Sequence, residues 1–215
     1  MPTPIRVLVL EDSPSDAELV LYELRRAGYL PDSEVREDEA GFREALDRLQ
    51  PELILADYNL PQFDALQALG IVREKSVDAP VVIVSGAIGE DMAAAAIRAG
   101  AADYLLKDRL GRLGHAVSRA LVERELGRAR RVADLAMRQK AAQLRAVMDT
   151  IGDAVVVADA TGRVTDANAA AVAMLGAGRD DIAGLQLDGL LAAAGRDGAV
   201  TRVAVEGTVV VVVRR

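Results

Sequence analysis

Four short, mainly apolar runs in this chain each give way to a carboxylate, a hydroxyl or an ammonium group. Ile5-Arg-Val-Leu-Val-Leu10 ends in Glu11-Asp12, Leu53-Ile-Leu-Ala56 in Asp57, Val81 to Val84 in Ser85-Gly86, and Asp103 to Leu106 in Lys107. Three carboxylates brought close together disfavour joint ionisation and need a counter-charge. A hard divalent cation supplies one, since Mg²⁺ takes one or two carboxylates together with waters and phosphate oxygens. Asp12, Asp57 and a backbone carbonyl just after Asp57 suit it, with Glu11 acting through water. A carboxylate held between such a cation and the Lys107 ammonium is a nucleophile toward phosphorus, because both cations offset charge on the transferred group. The Ser85 hydroxyl can then donate to an oxygen of the attached phosphoryl group, whose arrival adds about −1.5 to −2 charge and can drive a switch. Taken singly, these residues also read as caps, turns or solvated charges. The expectation of phosphoryl transfer to Asp57 rests on four strand ends carrying complementary types.

For those ends to meet, the runs must be neighbouring parallel strands. Ser13-Pro14-Ser15-Asp16 supplies a cap, a proline at the first helical position and an acid at the third, so a helix spans about 14–27 until Gly28 stops it. A weak strand at Ser33 to Arg36, a helix from Glu39 to Leu49, and helices from Asp64 to Glu74 and Glu90 to Ala99 interleave with the apolar runs, and Gly100 ends the last helix. Five βα repeats predict an α/β fold with a five-stranded, doubly wound parallel sheet. Ligands bind such sheets at the C-terminal strand ends, where the singled-out residues lie.

Composition narrows the alternatives. The 215 residues are 51% hydrophobic and 27% charged, with a net charge of −7, as in a globular protein. Without cysteine there is no disulfide framework, thiolate metal site or cysteine nucleophile. Ile5–Leu10 is too short for a signal-peptide core or a membrane span, so a cytoplasmic protein without a membrane partner is expected. Residues 1–108 hold 10 basic and 21 acidic side chains, 109–152 hold 10 and 4, and 153–215 hold 6 and 8. The arginines of the basic middle are spread along a helical pattern, and nothing aromatic follows Tyr104, which argues against a nucleic-acid partner. Neither a phosphate-binding Gly-x-x-x-x-Gly-Lys-Ser/Thr loop nor a Gly-x-Gly-x-x-Gly turn occurs.

Residues 4–110 resemble the receiver domain of two-component response regulators, a flavodoxin-like fold. Glu11-Asp12 matches that family's acidic pair and Asp57-Tyr-Asn-Leu-Pro61 its phosphoacceptor loop, while Ser85 and Lys107 match its switch hydroxyl and its lysine. The resemblance implies that Asp57 is the phosphoacceptor and that the Asn59 carbonyl is a metal ligand beside Asp12, Asp57 and Glu11. It also implies that Tyr104 is the rotating aromatic, that Mg²⁺ is the cofactor, and that a sensor histidine kinase or phosphotransfer protein is the donor. Three positions depart from the pattern: Asp108 follows the lysine where proline is usual, often as a cis turn, Glu11 replaces an aspartate, and Ala65 replaces a glycine.

From Leu110 the pattern stays helical until Gly152, about 40 residues or 60 Å. Leu113, Val117, Ala120 and Leu121 form a stripe suited to packing on the sheet as a fifth helix. Met137, Ala141, Leu144, Met148 and Ile151 recur at heptad spacing and predict a parallel homodimeric coiled coil. His115 has no kinase-type phosphoacceptor pattern around it and reads as structural.

The last 63 residues read as β-β-α-α-β-β: Ala154 to Ala158, a turn at Thr161-Gly162, Val164 to Ala167, a helix from Ala169 to Leu175 stopped by Gly176, then Val200 to Val205 and Thr208 to Val213 joined at Glu206-Gly207. Val155-Val-Val-Ala-Asp159, Gly162 and Asp166-Ala-Asn168 resemble the opening of a PAS sensor domain, shortened to four strands and small α+β in class. The valine run 209–213 is expected at a sheet edge, covered by a second chain or by a continuation of the protein. A division into 1–110, 111–152 and 153–215 follows. The function expected is that of a phosphorylation-controlled regulator relaying through the helix to the PAS-like module, with output through a further protein and no catalysis beyond its own phosphoryl transfer and dephosphorylation. The alternatives are an unphosphorylated scaffold, and an aspartate-nucleophile phosphatase, whose Asp-x-Asp-x-Thr signature Glu11-Asp12-Ser13-Pro14 does not match.

Overall fold

A computed structural model describes residues 2–61, 63–86, 89–193, 199–205 and 208–214. The chain forms two compact units, Met1–Arg131 and Val132–Arg215.

In the first unit, β1 (Thr3–Leu10), β2 (Tyr29–Arg36), β3 (Leu53–Asp57), β4 (Val81–Ser85) and β5 (Asp103–Leu106) make one sheet in the order β2-β1-β3-β4-β5, all in parallel. The near-continuous apolar runs are explained by burial on both faces. Leu8, Leu10, Ile54, Ala56, Val81 and Ile83 face α2 (Glu39–Leu49), α3 (Ala65–Glu74) and α4 (Glu90–Ala99). Val7, Val9, Leu53, Leu55, Val82 and Val84 face α1 (Pro14–Arg26) and the start of α5 (Leu113–Thr150). Helix ends follow the expected caps: Ser13 accepts from the Asp16 amide, Asp64 and Gln67 form a reciprocal capping box, and Gly100 closes α4 at φ 108°.

Two elements of this unit differ from the sequence reading. The second strand is eight residues long and starts at Tyr29, ahead of the expected Ser33. Pro31 and the acids Asp32 and Glu34 mask it, and all three are tolerated because β2 is an edge strand paired only with β1. After β5 the chain makes a 3₁₀ turn over Lys107–Arg112 before α5 begins, and no described peptide bond is cis.

The first turns of α5 bury Leu113, Ala116, Val117 and Ala120, with Leu121 partly covered, against the α1 side of the sheet. Gly114 permits this approach, since a methyl group there would overlap the Ala27 Cβ. Every residue from Ala129 to Val147 is exposed. Ile151, the last residue of the heptad series, lies one position beyond the helix end.

The second unit contains β6 (Ala154–Asp159), β7 (Val164–Ala167), α6 (Ala169–Leu175), α7 (Arg179–Ile182), α8 (Leu187–Ala193), β8 (Ala199–Val205) and β9 (Thr208–Arg214). Its antiparallel sheet has the order β7-β6-β9-β8. Val156, Val211 and Val213 pack with Ala171, Ile182 and Leu187 in its core. Contrary to expectation, Val209–Val213 does not form an edge. Val212 pairs with Val155 on one side and with Thr201 on the other, so β9 is an interior strand. The most apolar strand takes the doubly paired position, and β8, with Thr201 and Arg202, takes the rim. The Glu206-Gly207 connection lies outside the described residues.

Asn168, fully buried, organises this unit. Its Oδ1 accepts from the Val155 and Ala171 amides at 2.8 and 2.9 Å. Its Nδ2 donates to the carbonyls of Met148, Ile151 and Asp153 at 3.0, 3.2 and 2.9 Å. Asp149 adds a cap to Ala169 and an ion pair to Arg179, each at 2.7 Å. The final turn of α5 is thereby tied to β6 and α6. Asn168→Ala is expected to destabilise the unit by about 3 kcal/mol, because two buried amides and the partly buried carbonyls that share the Asn168 NH2 group lose their partner at once. Urea unfolding followed by limited proteolysis checks this, with accelerated cleavage confined to 132–215.

Candidate functional site

Strand register assembles the polar ends. Leu10 lies opposite Ala56, which sets Glu11 beside Asp57. Asp57 lies opposite Val84, and Ser85 opposite Leu106, one residue before Lys107. The alternation of faces then divides the group. Glu11, Asp57 and Lys107 continue the α1-facing rows, whereas Ser85 and Tyr104 continue the rows facing α3 and α4.

The Lys107 ammonium sits among three carboxylates, donating to Glu11 Oε2 at 2.9 Å, Asp57 Oδ2 at 2.7 Å and Asp16 Oδ2 at 2.5 Å. Asp57 Oδ1 accepts from the Asn59 amide at 3.3 Å. Glu11 is buried, and burial raises its carboxyl above the ordinary carboxylate range, an effect that the Lys107 and Ser13 hydrogen bonds only partly offset. Burial alone would lower the Lys107 ammonium, but the hydrogen bonds to Asp16, Asp57 and Glu11 outweigh it and raise its pKa.

One carboxylate oxygen from each of Glu11, Asp12 and Asp57 lies within 4.8 Å of the others. This all-oxygen donor set, with a net negative charge and one exposed member in Asp12, fits a hard divalent cation. Of the sheet candidates, Glu11, Asp12, Asp57 and Lys107 thus come together as a group, while Ser85 and Tyr104 lie on the other face. Ser85 is wholly buried at the β4 tip. Tyr104 stands edge-on to Tyr58, with ring centroids 6.3 Å apart. The heptad residues lie elsewhere, on α5, where Met137 is 71% and Leu144 59% exposed, Ala141 is exposed and Met148 half-buried. His115 is exposed in the first turn of that helix.

Asp16 is the member of the site that sequence reasoning missed. As the third residue of α1 it reads as a helix-terminal acid. The available signal is its place one helical turn after Asp12, on the helix that leaves the β1 tip, which brings its carboxylate back over the strand ends.

Among the described residues no helix is long and apolar enough to cross a membrane. The sequence model of the response regulator receiver domain matches residues 7–118, and that of the PAS domain matches 142–205. The transcriptional regulatory protein TrcR of Mycobacterium tuberculosis is 30% identical over 141 residues, 63% of this chain and 54% of TrcR. The nitrate/nitrite response regulator protein NarL of Escherichia coli is 34% identical over 109 residues, 49% of each chain. The matched region therefore spans about half the length of these two relatives. Among solved structures, the signal receiver domain of a Vibrio parahaemolyticus protein assigned as a LuxO repressor aligns with a TM-score of 0.53 at 28% identity, covering 59% of this chain and 96% of that one.

Proposed function

This chain belongs to the response regulator receiver domain family, and from that membership we propose that it is a phosphorylation-controlled regulator in which Asp57 accepts a phosphoryl group from a sensor histidine kinase or phosphotransfer protein. The observation that carries the reading is the convergence of Lys107 and the Glu11, Asp12 and Asp57 carboxylates at the strand ends. An Asp57 oxygen attacks the phosphorus of a phosphohistidine. The P–O bond forms as the P–N bond breaks, and the imidazole nitrogen leaves with the electron pair. Lys107 places its charge against the oxygens of the moving group, and the Ser85 hydroxyl donates to one of them once it is attached to Asp57. Mg²⁺ would be held by Asp12, Asp57 and the Asn59 carbonyl, with Glu11 through water, and supplies further positive charge to those oxygens. Tyr104, on the Ser85 side of the sheet, is the aromatic whose packing on Tyr58 responds to the shift of Ser85.

Residues 1–110, 111–152 and 153–215 serve as receiver, signalling helix and PAS-like module. The exposed apolar residues of α5 support a homodimer through Met137, Ala141, Leu144 and Met148, closed at its end by Ile151. Output passes to a protein partner, with no nucleic acid or membrane involved, in the cytoplasm. Intact-mass analysis after incubation with acetyl phosphate tests the phosphoacceptor role. The expected result is one phosphoryl adduct that requires Mg²⁺, disappears with a chelator and is absent in Asp57→Asn. No adduct under any condition would leave a receiver-shaped scaffold that acts by binding alone.

A further inference from the structure

Lys107 has three N–H donors, and all three are used, by Glu11, Asp16 and Asp57. Two of those acceptors, Glu11 and Asp57, also belong to the acid trio whose oxygens lie close enough to share a cation, and Asp16 does not. A divalent cation would therefore draw on two of the carboxylates that hold Lys107, and of the three acceptors Asp16 alone stands outside the cation's set. From this geometry we propose that Asp16 is a positioning residue, the acid that keeps the Lys107 ammonium beside Asp57 when a cation draws on Glu11 and Asp57. The proposal rests on the reading of Asp57 as phosphoacceptor and adds to it a residue that acts through Lys107.

The ordinary role for an acid at this helical position is local. In a reciprocal capping box the acid three residues into the helix accepts the backbone N–H of the cap residue. Here that N–H, from Ser13, donates to Glu11 Oε1 at 3.1 Å. The Ser13 hydroxyl in turn accepts from the Asp16 amide at 3.4 Å. The cap is complete without the Asp16 carboxylate, which turns to Lys107. The favourable field of the helix N-terminus on an acid remains, but it gives no reason for a contact to a lysine 91 residues away in sequence. The face alternation gives that reason, since Lys107 continues the rows of the sheet that α1 covers.

The test uses the full chain and two substitutions, Asp16→Asn, which keeps an acceptor but removes the charge, and Asp16→Glu. Adduct formation with acetyl phosphate is followed by intact mass across a Mg²⁺ titration. In parallel, an amine-acetylating reagent at fixed pH and saturating Mg²⁺ reports the accessibility of Lys107 against Lys75 and Lys140, the other two lysines of the chain. Asp16→Asn is expected to slow adduct formation at saturating Mg²⁺ about tenfold, the effect of one charge-assisted hydrogen bond. The Mg²⁺ concentration for half-maximal rate should stay within about twofold, as expected when no metal ligand is lost. Labelling of Lys107 alone should rise, and Asp16→Glu should restore both rate and protection in part. An unchanged rate with unchanged Lys107 labelling would overturn the proposal, as would a change confined to the Mg²⁺ requirement. A wild-type chain that forms no adduct would instead remove the phosphoacceptor reading on which the proposal stands.

Discussion

Replacing Lys107 with alanine is expected to lower the stability of the Met1–Arg131 unit by about 3 kcal/mol in chelator and to slow adduct formation on Asp57 at least about a hundredfold. The substitution leaves Glu11, Asp57 and Asp16 facing one another without their shared cation. Glu11 and Asp57 keep only 4% and 11% of their side-chain surface, so water entering in place of the ammonium offsets the lost charge only in part. Breaking a buried pair by removing one partner costs about 3–5 kcal/mol, and the lower end applies because the Asp16 side chain is 37% exposed. The Lys107 pKa is raised in the fold, against the lowering effect of burial, by the three carboxylates. A raised pKa means that the charged form contributes stability which is complete below the unfolded-state value of 10.5 and is lost as pH rises through the folded-state value. At neutral pH the whole contribution is present, and the substitution removes all of it. Mg²⁺ at about a hundred times its dissociation constant should recover about 2.7 kcal/mol. Urea midpoints of the variant with and without Mg²⁺ measure both quantities, and a midpoint equal to wild type in chelator would contradict this account of the site.

The second large effect concerns the helix. Met137→Asp combined with Leu144→Asp should convert a wild-type dimer to a monomer at micromolar concentration. Burial of a Met or Leu side chain contributes about 1.5–3 kcal/mol, and a twofold interface loses four of them. The combined loss of about 6–12 kcal/mol matches most or all of the free energy of a micromolar-to-nanomolar dimer. Both side chains are exposed within a single chain, so the substitutions leave the core of each unit intact. Sedimentation of wild type and variant measures the outcome, and an unchanged dimer would place the interface on another surface.

The parts of the molecule that could be read from sequence are those where local pattern and tertiary role coincide. Strands β1, β3 and β4 are buried on both faces, so their apolar runs stand out without any knowledge of their neighbours. Their polar terminators are legible for the same reason, because a charge that ends a buried run must sit at the rim of the sheet, where solvent or a ligand meets it. The edge strand β2 is less legible, since one side of it has no pairing to protect and its sequence is free to carry Pro31 and acids. The place of β9 depends on a pairing between Val155 and Val212, 57 residues apart, which no local pattern records. Asp16 was hidden by an adequate local role, as its position suits a helix cap that Glu11 and Ser13 in fact complete. Asn168 was visible as part of a motif, but its five hydrogen bonds reach carbonyls and amides that sequence spacing does not bring together.

Charge arriving at Asp57 is expected to be read out beyond the helix. Amide hydrogen exchange of the full chain, with Mg²⁺ and with or without acetyl phosphate, tests it most directly. The predicted result is altered protection at the Ser85 strand end, along α5 from Ala129 to Val147, and at the Val155 and Ala171 amides held by Asn168, all absent in Asp57→Asn. Changes confined to residues 1–131, with the Val155 and Ala171 amides unmoved, would contradict it.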